Sequence, residues 1–210
     1  MTERCFIMGA ADMSGVNPVE FADYIIAADG GYANLKKTGI EPDLVVGDFD
    51  SLSMAPEHPN VITLPREKDD TDMLFAVKQG LKLGYRIFYL DGGIGGRFDH
   101  SFANIQTLSY IAQNQARGYI LAKDFCITVI KNSSLQFKAG LQGYISVFSL
   151  NTDSTGIIID GLKYELSNGK LQSSLPLGVS NEFVGKSAMI KTDNGLLAVI
   201  WEGTPRDIIE

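Results

Sequence analysis

The feature that most constrains the fold is a series of short apolar runs before Lys123, most of which end at glycine, aspartate or proline. Runs without polar alternation are typical of strands covered on both faces of a sheet. They occupy residues 5–8, 24–28, 44–46, 61–64, 86–90 and 118–121. Helical spacing occurs between some of them, at residues 32–37, 73–83 and 103–111. This alternation predicts a doubly wound parallel sheet, an α/β domain.

The helical pattern at residues 73–83 follows a polar segment, residues 66–72. We expect Asp69 or Asp70 to cap this helix, because acidic groups in a first turn interact favourably with the helix dipole. Gly39 follows the preceding helical pattern and is predicted to be its C-cap.

The pattern changes after Lys123, where short apolar runs alternate with turn signals and few helical stretches occur. The turn signals are residues 138–140, 151–153, 167–169 and 193–195. Two contain Asn-Gly, which favours tight hairpins. Residues 124–210 are therefore predicted to form an antiparallel all-β domain, a sandwich or roll, after an α/β domain at residues 1–123.

Composition limits the possible partners and location. The 210 residues carry a formal net charge of −7, so we expect no nucleic-acid surface. The apolar runs are too short to cross a membrane, and the N-terminal region has no signal-peptide core. Cys5 and Cys126 have no metal-ligand spacing, which indicates buried thiols in a reducing compartment. We therefore expect a cytoplasmic protein.

Carboxylates are concentrated where predicted strands end. They are Asp29, Asp48, Asp50, Asp91 and Asp99, together with Asp72 at the start of a helix. Any one of them alone is explained as a turn former or helix cap. In an open parallel sheet, however, ligands bind beyond the carboxyl ends of the strands. Oxygen ligands near glycine loops indicate Mg²⁺ bound to a polyphosphate.

Residues 91–100 form the most informative loop, with Gly92, Gly93, Gly95 and Gly96 followed by Arg97. A strand, glycine loop and helix in succession allow backbone N–H groups to approach phosphate oxygens. Arginine binds phosphate through a bidentate fork. The alternative is a tight turn with Arg97 and Asp99 as a surface ion pair. The chain has no G-x-x-x-x-G-K-[ST] motif, so it is not a P-loop enzyme.

Five segments, taken in order, resemble the motifs of thiamine pyrophosphokinases. They are residues 27–31, 47–51, 69–72, 92–100 and 180–183. The resemblance implies transfer of diphosphate from ATP to the hydroxyl of thiamine, with Mg²⁺. It also implies an α/β domain followed by a β-domain, working as a homodimer with active sites between subunits.

The resemblance also implies roles for individual residues. Asp48, Asp50 and Asp72 would hold the metal, and Asp72, Arg97 and Asp99 would be catalytic. ATP contacts would fall on Asp29, Gly30, Thr71 and the glycines Gly92, Gly93, Gly95 and Gly96. Thiamine would contact Ser180 and Asn181. Trp201 lies beyond the tryptophan position of similar animal proteins, so we interpret it as the end of a buried strand.

Some alternatives stay open at the level of sequence. Either Asp72 or Asp99 could accept the hydroxyl proton. The substrate could be another hydroxymethyl heterocycle, such as a pterin, because the phosphate machinery would be the same. A non-catalytic nucleotide or thiamine sensor is the alternative from a different functional class.

Overall fold

The structure is a computed structural model that describes residues 4–49, 56–67 and 69–209. The chain divides into two compact units, Met1–Lys123 and Asp124–Glu210.

The first unit contains a parallel sheet of six strands. In chain order they are β1 (Arg4–Met8), β2 (Tyr24–Ala28), β3 (Leu44–Gly47), β4 (Val61–Thr63), β5 (Ile87–Asp91) and β6 (Arg117–Leu121). Their order across the sheet is β6-β5-β1-β2-β3-β4, and β1 pairs in parallel with both β2 and β5. The direction of winding therefore reverses between β1 and β5, which is the topological switch point of the sheet. The predicted α/β fold is confirmed.

Three α-helices connect these strands within the described part of the chain: α1 (Gly31–Thr38), α2 (Asp72–Lys82) and α3 (Phe98–Gln113). Gly39 ends α1 with φ of 72°, as predicted for a C-cap. None of the helices described is long and apolar enough to span a membrane.

The predicted cap of α2 was wrong. Thr71, not Asp69 or Asp70, is the N-cap residue, because its backbone is extended and its hydroxyl accepts the N–H of Leu74 at 3.2 Å. The helix consequently begins at Asp72, whose carboxylate lies in the first turn.

Close packing between α2 and the sheet depends on a glycine. A Cβ atom on Gly80 would lie 2.5 Å from the ring of Phe88, so a larger residue would push the helix away. The thiol of Cys5 is part of the same contact and is fully buried. Burial raises the pKa of the Cys5 thiol far above its usual range. The buried position predicted for Cys5 is confirmed.

The second unit is built from antiparallel strands. In chain order they are β7 (Cys126–Lys131), β8 (Ser134–Phe137), β9 (Tyr144–Ser149), β10 (Asp153–Asp160), β11 (Leu166–Gln172), β12 (Asn181–Glu182), β13 (Ala188–Lys191) and β14 (Leu196–Trp201). One group has the order β12-β9-β14-β7, and a separate sheet has the order β11-β10-β13-β8. The predicted antiparallel β-domain is confirmed.

One predicted turn in this unit was wrong. Residues 167–169 lie inside β11, where the register with β10 shifts between Ile157 and Ile159. Asn168 has φ of 49° at this irregularity. An Asn-Gly pair tolerates positive φ in a bulge as well as in a hairpin, so local sequence did not distinguish the two.

Trp201 ends β14 and is almost completely buried, as predicted. Its indole packs edge-on against Phe137, with ring centroids 5.4 Å apart. The indole N–H donates to Oδ2 of Asp207 at 3.2 Å, which satisfies its polar group.

Candidate active site

A cavity of about 590 Å³ lies in the first unit, at the carboxyl ends of its strands. Its lining comes from the residues that follow β1, β2, β3 and β5, from the segment before α2, and from the starts of α2 and α3. The loops after β1 and β5 flank the topological switch point, where open α/β sheets bind ligands. The position of the cavity therefore agrees with the edge at which the sequence concentrates carboxylates.

The glycine loop (residues 92–96) forms one wall of this cavity. Gly92, Gly95 and Gly96 have φ of 63°, 108° and 63°, in the left-handed region that favours glycine. A Cβ on Gly92 would lie 2.5 Å from the carbonyl oxygen of Gly9, so the two backbones are in direct contact. Asn104 of α3 also fixes the loop by donating to the carbonyl of Gly93 at 2.7 Å. This wall offers backbone rather than side chains to a ligand.

Most of the predicted nucleotide contacts are brought together. Asp29, Thr71, Gly92, Gly93, Gly95 and Gly96 all line the cavity. Gly30 does not line it. Asp29 has φ of 47°, which is unusual for a residue other than glycine, and strained backbone of this kind is common at binding sites.

Two of the predicted metal ligands, Asp48 and Asp72, line the same cavity, as does Asp70. The third predicted ligand, Asp50, lies outside the described residues. Among the residues that the structure describes, no three His, Cys, Asp or Glu side chains form a group that could hold a metal ion. Asp70 is bound by Lys78 of α2, whose ammonium lies 2.6 Å from Oδ2.

Arg97 lines the cavity, but Asp99 does not. The two side chains form a bidentate pair, with Nη2 to Oδ2 at 2.6 Å and Nε to Oδ1 at 3.2 Å. Both are mostly exposed, at 73% and 63% of their side-chain surface. The hydrogen bonds from Arg97 lower the pKa of the Asp99 carboxyl. The two residues therefore form an ion pair at the protein surface.

Asp91 lies at the predicted edge but not in the cavity lining. Its side chain is fully buried at the end of β5. Burial raises the pKa of its carboxyl above the usual value, although hydrogen bonds from Ser14 and Gly92 act in the opposite direction. Both of its oxygens accept hydrogen bonds from the protein.

Several lining residues were not predicted from sequence. They are Gly9, Ala10, Ala11, Arg66, Met73 and Asn104. The loop after β1 had the same signal as the other loops, since Gly9 ends an apolar run. Arg66 and Asn104 had no such signal, because only packing brings the segment after β4 and the second turn of α3 to this edge.

The two predicted thiamine contacts lie in the second unit and differ in environment. Ser180 is exposed, has φ of 58°, and donates its backbone N–H to Oγ of Ser146 at 3.0 Å. Asn181 is buried, and its amide is used internally. Its Oδ1 accepts the N–H of Tyr164 at 2.9 Å, and its Nδ2 donates to the Tyr164 carbonyl at 2.7 Å.

Comparisons with known proteins match both units. The family model for the thiamin pyrophosphokinase catalytic domain matches residues 17–120. The model for the thiamin pyrophosphokinase vitamin B1 binding domain matches residues 132–197. Thiamine pyrophosphokinase of Bacillus subtilis is 28% identical over 182 residues, which is 83% of this chain and 85% of that protein. Thiamin pyrophosphokinase 1 of Caenorhabditis elegans is 26% identical over 193 residues, or 84% and 78% of the two chains. The crystal structure of the Bacillus subtilis enzyme is similar with a TM-score of 0.82 at 26% identity, covering 95% of this chain and 99% of that one.

Proposed function

Because the chain belongs to the thiamin pyrophosphokinase family, we propose that it transfers diphosphate from ATP to the hydroxyl of thiamine, giving thiamine diphosphate and AMP. The observation that carries the proposal is the cavity at the switch point of the first unit. It combines a glycine wall, the carboxylates Asp48 and Asp72, and the cation Arg97. This combination suits a nucleotide polyphosphate with a divalent cation.

The two units take different substrates in this proposal. The first unit, Met1–Lys123, binds ATP, which is supported by its cavity and by the catalytic-domain match. The second unit, Asp124–Glu210, binds thiamine, which is supported by the vitamin B1 binding-domain match at residues 132–197.

The donor set of the cavity fits Mg²⁺, since the carboxylates of Asp48 and Asp72 are hard oxygen ligands. Asp48 and Asp72 would hold the ion, together with Asp50. A bound Mg²⁺ would neutralise charge on the phosphate oxygens during transfer.

In the proposed step, the thiamine hydroxyl oxygen forms a bond to the β-phosphorus of ATP. The bond between that phosphorus and the oxygen bridging to the α-phosphate breaks, and AMP leaves. Arg97 would take up charge on the transferred group, held in orientation by Asp99. Asp72 would accept the hydroxyl proton, because it lines the cavity and Asp99 does not.

Ser180 and Asn181 contribute differently to thiamine binding in this proposal. The hydroxyl of Ser180 is on an exposed residue and is available to a polar group of thiamine. The amide of Asn181 holds the backbone of Tyr164, so Asn181 would shape the site by fixing that loop.

Two further elements of the proposal are a homodimeric assembly and a cytoplasmic location. The buried free thiols of Cys5 and Cys126 support a reducing compartment. Light scattering coupled to gel filtration measures the molar mass in solution. A molar mass equal to that of one chain would contradict the homodimer.

The direct test is incubation of the purified chain with ATP, Mg²⁺ and thiamine, with separation of the products. We expect thiamine diphosphate and AMP in equal amounts, and no product when a chelator removes the metal. A hydroxymethyl pterin in place of thiamine is the control for substrate class. Binding of both ligands without AMP formation would contradict the proposed enzymatic activity. Faster turnover of the pterin than of thiamine would contradict thiamine as the substrate.

Asp48→Asn tests the metal assignment separately. Loss of one carboxylate ligand should raise the Mg²⁺ concentration that gives half-maximal rate, with little change in the Michaelis constant for thiamine. A change in thiamine affinity with an unaltered dependence on Mg²⁺ would contradict this role.

A further inference from the structure

Two loops meet at the switch point of the first unit: the β1 loop (residues 9–16) and the glycine loop. Both contribute to the lining of the cavity, through Gly9, Ala10 and Ala11 on one side and the four glycines on the other. The β1 loop follows β1 and the glycine loop follows β5. These two strands are neighbours in the sheet, where Met8 of β1 pairs with Asp91 of β5. The width of the cavity at this point depends on how these two loops are held together.

Asp91 joins the two loops through its buried carboxylate. Oδ1 accepts the backbone N–H of Ser14 at 2.8 Å and that of Gly92 at 2.7 Å. Oδ2 accepts the hydroxyl of Ser14 at 2.7 Å. One side chain therefore binds a residue of each loop, and it binds Ser14 through both its backbone and its hydroxyl.

The backbone of the β1 loop is fixed at its start by other contacts. Gly9 donates to the carbonyl of Asp91 at 2.7 Å, and Ala11 donates to the carbonyl of Gly92 at 3.0 Å. Asn34 of α1 donates to the carbonyls of Gly9 and Ala11 at 3.0 and 3.1 Å. The contact between Ser14 and Asp91 thus fixes the far part of a loop whose near part is already held.

We infer that Asp91 and Ser14 form a bracket that sets the separation of the β1 loop and the glycine loop, and that Asp91 is a positioning residue for the nucleotide. The inference rests on the proposed function, because it takes the ligand of the cavity to be Mg·ATP. It assigns no contact between Asp91 and the substrate. Asp91 would influence nucleotide binding by positioning the backbone of the glycine loop, because the N–H groups of that loop must match the spacing of phosphate oxygens.

The test measures binding of Mg·ATP without thiamine, by calorimetry, beside a thermal melt of each variant. Ser14→Ala removes one hydrogen bond to Asp91 and keeps the backbone bond, so we expect binding about threefold to tenfold weaker. Asp91→Ala removes the bracket, and binding should weaken by roughly tenfold or more. The Michaelis constant for thiamine should stay unchanged in both.

Two further variants separate positioning from stability. Asp91→Asn keeps an acceptor for the Ser14 and Gly92 N–H groups and offers a donor to the Ser14 oxygen, so it should restore nearly wild-type ATP binding. Asp43 is the matched control. Asp43 lies just before β3 begins, at the amino edge of the sheet. Its Oδ2 accepts the backbone N–H of Ile25 at 2.8 Å. Asp43→Ala should lower the melting temperature and leave ATP binding unchanged.

The outcomes distinguish the inference from the proposed function. If Ser14→Ala and Asp91→Ala melt at lower temperature but bind Mg·ATP as the wild type does, the bracket is only structural and the inference is overturned. The same holds if Asp43→Ala weakens ATP binding as much as they do. A wild-type chain that binds Mg·ATP but never transfers diphosphate to thiamine overturns the proposed function alone. A wild-type chain that binds no Mg·ATP overturns both.

Discussion

Ser180 and Asn181 are neighbours in sequence, but the structure gives them opposite environments. Ser180 is exposed in a left-handed conformation, whereas Asn181 is only 6% exposed and uses its amide on the backbone of Tyr164. A hydroxyl at the surface is available to a ligand. A buried amide with three internal hydrogen bonds is not, because a ligand would have to replace them.

Alanine substitutions at these two positions should therefore have different effects. Asn181→Ala leaves the N–H and carbonyl of Tyr164 without partners, and we expect a loss of about 1–3 kcal/mol of unfolding free energy. Ser180→Ala should leave stability within about 0.5 kcal/mol and raise the Michaelis constant for thiamine up to roughly tenfold.

Chemical denaturation and initial-rate kinetics on the same preparations check both values. A stable Asn181→Ala variant with impaired thiamine binding would mean that its amide contacts the substrate directly.

Asp91 gives a prediction for pH dependence. Burial raises the pKa of its carboxyl above 3.8, so the folded state binds this proton more tightly than the unfolded state does. The resulting stabilisation is full below about pH 4 and is lost as the pH rises through the folded pKa. Asp91→Asn carries no ionisable group and escapes this loss. The melting temperature of Asp91→Asn minus that of the wild type should thus be largest at neutral pH. This difference should decrease as the pH approaches about 4.

Melting curves between acidic and neutral pH check this dependence. A difference between the two proteins that stays constant, or that grows on acidification, would mean that the Asp91 pKa is not raised in the folded state.

Sequence reasoning located most of the site at the level of residues because strand ends are visible in the apolar pattern. Asp29 and Asp48 were found by that route, and they share one cavity with Asp72, which was found at the start of a helical pattern. It did not separate Asp91 from them, since a carboxylate after a strand looks the same whether it faces the cavity or a neighbouring loop. The burial of the carboxylate and its hydrogen-bond partners distinguish the two cases, and for Asp91 both depend on the position of the β1 loop.

At the level of elements, α2 carries Asp72 into the cavity and Thr71 determines where the helix starts. Thr71→Ala removes the side-chain acceptor of the Leu74 N–H, and should cost about 0.5–2 kcal/mol of stability. It should also lower turnover, because Asp72 lies in the first turn that the cap fixes. Thr71→Ser keeps the hydroxyl and is the matched control.

Urea denaturation and steady-state rates measure the two effects. If Thr71→Ala and Thr71→Ser have equal stability, the cap contributes little, and the start of α2 is fixed by packing against the sheet.

The elements also show where local sequence is insufficient. The strands of the parallel sheet were predicted because each is a continuous apolar run. β11 was predicted in part as a turn, because Asn168 and Gly169 favour positive φ in either a hairpin or a bulge. The pairing of β11 with β10 selects the bulge, and that pairing is a tertiary contact.

At the level of the whole molecule, the division at Lys123 separates two kinds of secondary structure. All three α-helices in the described part of the chain belong to the first unit. The second unit is a β-structure that contains the predicted thiamine contacts. The separation was predictable because the spacing of apolar residues changes there from helical and continuous to short runs between turn signals.

The chain has a single tryptophan, Trp201, and it is buried in the second unit. Its fluorescence is thus an internal optical reporter of that unit alone, whereas the circular dichroism of the helices reports the first. Ligands that bind only the native state stabilise it by mass action, so unfolding requires more denaturant. Thiamine should therefore shift the fluorescence transition in urea to higher concentration, and Mg·ATP should shift the helical transition. Equal shifts of both signals by each ligand would mean that the two units unfold together.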